Sequence, residues 1–188
     1  LPLGERRRAL RIGPDMCREW YEMSQVTIAA VEGHCIGGGV ALSVSLDFRF
    51  CGAGAHFRVP EVELGMNMSW GSVPRILQLI GPARTKQAVI LASERISSGE
   101  AYQWGLVEKV VSDGQVLTEA MAFAGRFAAM PPLPASMVKK TVNRLSGALD
   151  DLAVHMDTDQ YALTNTSEDF QEGVTAFLER RKPRFRGR

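Results

Sequence analysis

Three consecutive glycines at 37–39 separate a short apolar run, TIAAV at 27–31, from a second one, VALSVSL at 40–46. The first run is brief and rich in β-branched residues, which predicts a buried strand ended by Glu32-Gly33. The second predicts a buried helix. The glycines then sit where a loop becomes a helix N-terminus. There the first backbone N–H groups have no intrahelical acceptor, and the aligned peptide dipoles add partial positive charge. Glycine also lets a ligand oxygen approach that backbone without meeting a Cβ. Two uses are open: close packing of strand against helix, or an exposed N–H, best placed at Gly38, that holds a developing oxyanion. A phosphate cradle fits poorly. The run lacks the Gly-Lys-Ser/Thr ending of a P-loop, and Leu42 stands where a dinucleotide fingerprint carries its last glycine.

Beyond the predicted helix, DFRFC at 47–51 and AHFRV at 55–59 predict strands. Pro60 should stop the second and leave Glu61 on a rigid turn. Residues 62–68 alternate apolar and polar up to Trp70-Gly71, and an extended loop would put Glu61 and Glu63 on the same side. A carboxylate beside apolar residues and a tryptophan has its charged form disfavoured, which suits a base exchanging protons near neutral pH. A lone loop glutamate is more often solvated than catalytic, so the weight on Glu61 comes from its context.

That context is an ordered series of motifs: AAVEGHCIGGGVAL, a strand, PEVELGM, Gly71-Ser72, and RILQLIGPARTKQAVILASERISSGEAYQWGLVEKVV. The series closely resembles the crotonase, or enoyl-CoA hydratase/isomerase, superfamily from about residue 26 to 111, and more weakly through to FLERRKPRF. The resemblance implies an α/β fold of stacked ββα turns over 1–130, with a C-terminal helical part at 131–188 that builds a homotrimer or a hexamer of two stacked trimers. It also implies an acyl-CoA thioester whose oxygen is held by two backbone N–H groups as it becomes an enolate. By motif match Gly38 supplies one of them, and Glu61 takes the position of the glutamate shared by the family's hydratases and isomerases. Gly37, Cys35 and Trp70 would line the substrate. Phe177 and Arg180 would meet the adenine and phosphates of CoA, often from an adjacent subunit. CoA is part of the substrate, so no separate cofactor is implied.

Two departures from the family pattern shape the functional expectation. Ala41 stands where hydratases carry a second carboxylate, and Ser69 stands where dienoyl-CoA isomerases carry an aspartate. A single acid/base favours an enoyl-CoA isomerase, in which one carboxylate removes the C2 proton of a 3-enoyl thioester and returns it to C4. Hydration with Glu63 as second acid, a silent acyl-CoA-binding protein and an RNA-binding family member are the alternatives. The chain also opens in a segment resembling the helix before the central strand, so the family's N-terminal strands, with the other oxyanion N–H, are expected to be missing.

Other features narrow the class. A net charge of +1 gives no reason to expect a nucleic-acid partner, and no apolar run is long enough for a bilayer. Cys17, Cys35 and Cys51 form no C-x-x-C pair, and with no signal peptide they fit a reducing, cytoplasmic location. His34, His56 and His155 are scattered, and no metal site is expected. Helices are predicted from Pro14 through Met23, at 72–80 and 84–91 around Gly81-Pro82, after the capping box Ser97-Ser98-Gly99-Glu100, and at 116–130. A strand is predicted at 106–111. Past the prolines at 131, 132 and 134, apolar stripes run through Met137, Val138 and Val142, then Leu149, Leu152, Met156 and Leu163. Ser167 caps a last helix with a stripe at Phe170, Val174, Phe177 and Leu178. The basic tail RRKPRFRGR reads as a solvated, frayed end or as a phosphate contact.

Overall fold

The computed structural model describes residues 2–92 and 94–188. Helices α1 (Leu3–Leu10) and α2 (Ile12–Glu22) lead into β1 (Ile28–Val31) and β2 (His34–Ile36). The chain continues through α3 (Gly38–Ser43), β3 (Phe48–Gly52), β4 (His56–Arg58), a 3-10 turn at Val62–Leu64 and the long α4 (Ser72–Ile90). Next come β5 (Ile96–Ser97), α5 (Ser98–Trp104) and β6 (Lys109–Val111). The C-terminal third is helical: α6 (Val116–Ala128), α7 (Pro132–Ser146), α8 (Asp150–Val154), α9 (Asp157–Thr164) and α10 (Glu168–Leu178).

The first four strands alternate between two sheets. β1, β3 and β6 pair in parallel in that order, while β2 pairs in parallel with β4, which takes β5 antiparallel on its other side. The first two ββα turns each add one strand to each sheet and close with a helix, which is the stacked arrangement expected. Cys17 of α2, Val40 and Ala41 of α3, Cys51 of β3, Phe57 of β4 and Ile76 of α4 share one buried cluster between the layers.

Two buried cations tie the turns together. Arg49 on β3 is 2% exposed, pairs with Glu108 at 2.5 Å and donates to the carbonyls of Leu106 (2.8 Å) and Leu46 (2.7 Å). Lys139 of α7 pairs with Asp47 at 2.8 Å and donates to the Gln25 carbonyl, docking α7 beside the entry to β1. Both charges are compensated, as burial requires.

The local signals in the sequence act as read. Ser97 and Glu100 form the reciprocal capping box, Gly105 ends α5, Ser167 accepts from the Phe170 N–H, and α4 breaks at Gly81. Three departures have a visible local cause. α3 starts within the glycines and stops at Ser43, where the Ser43 and Ser45 hydroxyls bond back to the Val40 and Ala41 carbonyls and compete with further helix. The strand expected from Leu106 begins only at Lys109, because the Leu106 and Val107 N–H groups both turn back to the Ala101 carbonyl and close α5. The segment after Pro60 is a 3-10 turn instead of an extended loop.

The apolar stripes of α7, α8 and α9 are exposed in the single chain, including Val138, Leu149, Leu152 and Leu163. On α10, Phe177 and Leu178 are likewise exposed, and the helix instead buries Gly173 and Ala176. The contact is close: a methyl group on Gly173 would stand 2.6 Å from the Leu64 carbonyl carbon, and one on Gly65 would stand 2.6 Å from the Asp169 oxygen. Gly65 also has φ +75°, a conformation that costs little only for glycine. Gly65→Ala is therefore expected to destabilise the fold by more than about 1 kcal/mol in urea unfolding. Gly99→Ala, in α5 with open space around it, is expected not to destabilise it.

Candidate active site

The site follows from one pairing. β2 and β4 run parallel with Ile36 opposite Arg58, so both strands emerge at the same end of their sheet. The Gly37 N–H extends the ladder by donating to the Arg58 carbonyl at 2.9 Å. Whatever follows β2 therefore lies beside whatever follows β4. After β2 comes Gly37 with φ +55°, which turns the chain into α3; after β4 come Pro60 and Glu61.

Gly38 is the first residue of α3, so its N–H has no acceptor one turn back. Glu61 lies against the preceding glycine, where a methyl group on Gly37 would stand 2.8 Å from Glu61 Oε1. The other carboxyl oxygen, Oε2, is buried and has no hydrogen-bond partner among the described residues. Burial therefore raises the Glu61 pKa above the usual carboxylate range, against a smaller opposing effect of its own backbone N–H. The turn is fixed by its backbone, since the N–H groups of Leu64 and Met66 both donate to the Glu61 carbonyl at 3.0 Å.

The expectation that Glu61 and Glu63 share a side is corrected by this turn. Glu63 is ion-paired with Arg58, whose Nε also donates to the Ala92 carbonyl at 2.9 Å. A 3-10 turn rotates the second carboxylate away, and Arg58 holds it there. At the remaining positions for a second acid, Ala41 is 1% exposed in the core and Ser69 is buried.

Trp70 covers the other glycine. Its ring lies on Gly38, and a methyl group there would stand 2.9 Å from Trp70 Cζ3. The backbone of Trp70 has φ +64°, a strain on the order of 1–2 kcal/mol for a bulky residue. Asp157 of α9 braces this bend by accepting from the Gly71 N–H at 2.7 Å, and Arg75 Nη1 reaches the Trp70 carbonyl at 3.4 Å. Sequence reading did not single out Asp157, Arg75 or Arg58. Asp157 acts on a glycine 86 residues away, and no local pattern marks such a pair.

Of the other candidates, Cys35 contributes backbone to β2 while its thiol points into the core, 3.7 Å from Ser43 Oγ, with its pKa pushed up to about 11 by burial. Phe177 (66% exposed) and Arg180 lie at the end of α10, not beside Glu61. The basic tail is not frayed: Arg181 pairs with Glu172 at 2.6 Å, Arg188 pairs with Glu168 at 2.9 Å, and the Arg186 and Gly187 N–H groups donate to Asp169.

A chain of stacked ββα turns of this kind is matched by known proteins. Residues 13–188 match the model of the enoyl-CoA hydratase/isomerase family, and the chain belongs to that family. A crotonyl-CoA hydratase of Syntrophomonas wolfei subsp. wolfei is 35% identical over 174 residues, covering 93% of this chain and 66% of the relative. The crystal structure of an enoyl-CoA hydratase from Mycobacterium avium subsp. paratuberculosis superposes with a TM-score of 0.89 at 25% identity, over 95% of this chain and 72% of that one. A carnitinyl-CoA hydratase from Mycobacterium avium gives 0.83 at 30% identity, over 90% and 66%. The chain thus spans just under two thirds of the length of the curated relative.

The environment of Glu61 has a thermodynamic signature. Its folded pKa is raised, so as pH rises past the ordinary carboxylate range the unfolded chain releases this proton before the folded chain does. Stability is lost across the interval up to the folded pKa. Glu61→Gln removes this loss, so the variant is expected to gain stability over the parent as pH rises from 4 to 8 in denaturant titrations. The raised carboxyls of Asp150 and Asp157 are common to both proteins and cancel in the difference.

Proposed function

We propose that this chain carries the acid/base half of an acyl-CoA site, and that Glu61 alone shuttles a proton on a thioester enolate, as an enoyl-CoA isomerase does. The observation that carries the reading is the buried Glu61 carboxyl, with Oε1 against Gly37 at the entry to α3 and Oε2 without a partner among the described residues, and with no second carboxylate at Ala41 or Ser69. With the thioester oxygen on the Gly38 N–H, negative charge developing at that oxygen is stabilised by a fixed dipole. The Glu61 carboxylate takes the C2 proton of a 3-enoyl thioester, and the resulting acid returns it to C4, so the double bond moves and the mass is unchanged. A carboxyl whose charged form is desolvated is a stronger base than one in water, which suits this exchange.

Hydration is the second reading, favoured by relatives that bear hydratase names. In it Glu61 would accept a proton from water as oxygen adds to C3 of a 2-enoyl thioester, and deliver a proton to C2. For assembly, the exposed face of Val138, Val142, Leu149, Leu152 and Leu163 supports a homotrimer or a stacked pair of trimers, since apolar faces of this extent mark protein contacts. Phe177 and Arg180 are exposed and suited to the adenine and phosphates of CoA, from the same or an adjacent subunit.

The test is incubation with a 3-enoyl-CoA in heavy water, following conjugation by ultraviolet absorbance and mass by spectrometry. Conjugation without added water is the expected result. Conjugation followed by water addition selects the hydratase, and neither conversion nor exchange by the folded protein overturns the enzymatic reading. Glu61→Gln is expected to lower kcat by about 10²–10⁴-fold, and full retention of turnover would remove Glu61 from the mechanism.

A further inference from the structure

Trp70 is held from several sides in a conformation that a tryptophan rarely adopts. Its indole is wedged between two glycines: a methyl group on Gly13 of α2 would stand 2.1 Å from Cε2, and one on Gly38 would stand 2.9 Å from Cζ3. Asp157 and Arg75 hold the peptide between Trp70 and Gly71, the first at its N–H and the second at its carbonyl. Backbone strain that the surroundings over-determine is concentrated at functional sites, so an outlier of this kind calls for a role.

The position of the ring suggests which role. Trp70 also lines a cleft of about 570 Å³ between α2, α7 and α8, whose walls include Tyr21, Met23, Arg75 and Val154. Neither Glu61, Gly37 nor Gly38 lines that cleft. The indole is therefore a partition, with the start of α3 on one side and the cleft on the other.

We propose that Trp70 is the end wall of the acyl pocket and confines this site to short-chain acyl thioesters. The proposal rests on the acyl-CoA reading of the Glu61 site. With the thioester oxygen on the Gly38 N–H and C2 within reach of Glu61, the acyl chain runs past Gly38 toward the indole. The ring packs directly on that glycine, with no room for a methyl group between them, so a tail that reaches the indole does not pass between the two into the cleft. Loss of the ring would join the pocket to the cleft.

The test is calorimetric binding of two unreactive thioesters, butyryl-CoA and decanoyl-CoA, to the parent and to Trp70→Gly, whose glycine suits the left-handed backbone. Trp70→Phe serves as a second variant that keeps an aromatic ring against Gly13. Each buried methylene adds affinity where it has room, so a preference for the shorter chain reports a wall. The parent is expected to bind butyryl-CoA at least tenfold more tightly than decanoyl-CoA. Trp70→Gly is expected to shift that ratio at least tenfold toward decanoyl-CoA, with Trp70→Phe between. An unchanged ratio in the folded variants, or a parent that binds decanoyl-CoA as tightly as butyryl-CoA, overturns the wall and leaves the acyl-CoA reading standing. A folded parent that binds neither thioester overturns the acyl-CoA reading and the wall with it.

Discussion

The parallel pairing of β2 with β4 is the contact on which the site depends. Six residues in register, His34 to Ile36 against His56 to Arg58, bring Gly38 and Glu61 together although 22 residues of chain lie between them. The ladder is short, so its end matters: the Gly37 N–H bonded to the Arg58 carbonyl keeps the two backbones together until each turns away. Arg58 serves this juncture twice, because its carbonyl closes the ladder while its side chain draws Glu63 out of the site. The result is one carboxyl, not two, beside the glycines.

Several features that oppose stability meet at the same place. Among the described residues Glu61 Oε2 and Arg75 Nε are buried without a hydrogen-bond partner, and Trp70 adopts a strained backbone. Well-satisfied structure surrounds them. Arg49 and Lys139 are buried with their charges paired, and the close approach of Gly65 to Asp169 and of Gly173 to Leu64 seats α10 directly on the turn that carries Glu61. This distribution is the one expected of a functional site, where local rules are broken within a scaffold that obeys them.

How much of this was legible in the sequence depends on how local each determinant is. The β1 strand, the Ser97–Glu100 capping box, the Ser167 cap and the break at Gly81 each rest on a few adjacent residues, and each was read correctly. The family resemblance located Gly38 and Glu61 through motifs at matching separations. Three residues of HCI between glycines gave no strand signal, and β2 exists because β4 supplies its hydrogen bonds. The 3-10 turn after Pro60 depends on α10 covering Gly65, and the bend at Trp70 depends on Asp157. The stripes of α7 to α9 were visible as apolar, but a one-dimensional pattern does not say whether the covering surface belongs to the same chain.

The central claim is that Glu61 is a desolvated carboxyl at the mouth of α3, with Oε2 unpartnered among the described residues. The most direct measurement is a carbon-13 NMR titration of the labelled Glu61 carboxyl in the folded protein, assigned by its absence in Glu61→Gln. A midpoint above the ordinary glutamate value of about 4.3 is the predicted result. A midpoint at or below that value would mean that the carboxylate is solvated or paired, and would contradict the assignment of Glu61 as the buried base.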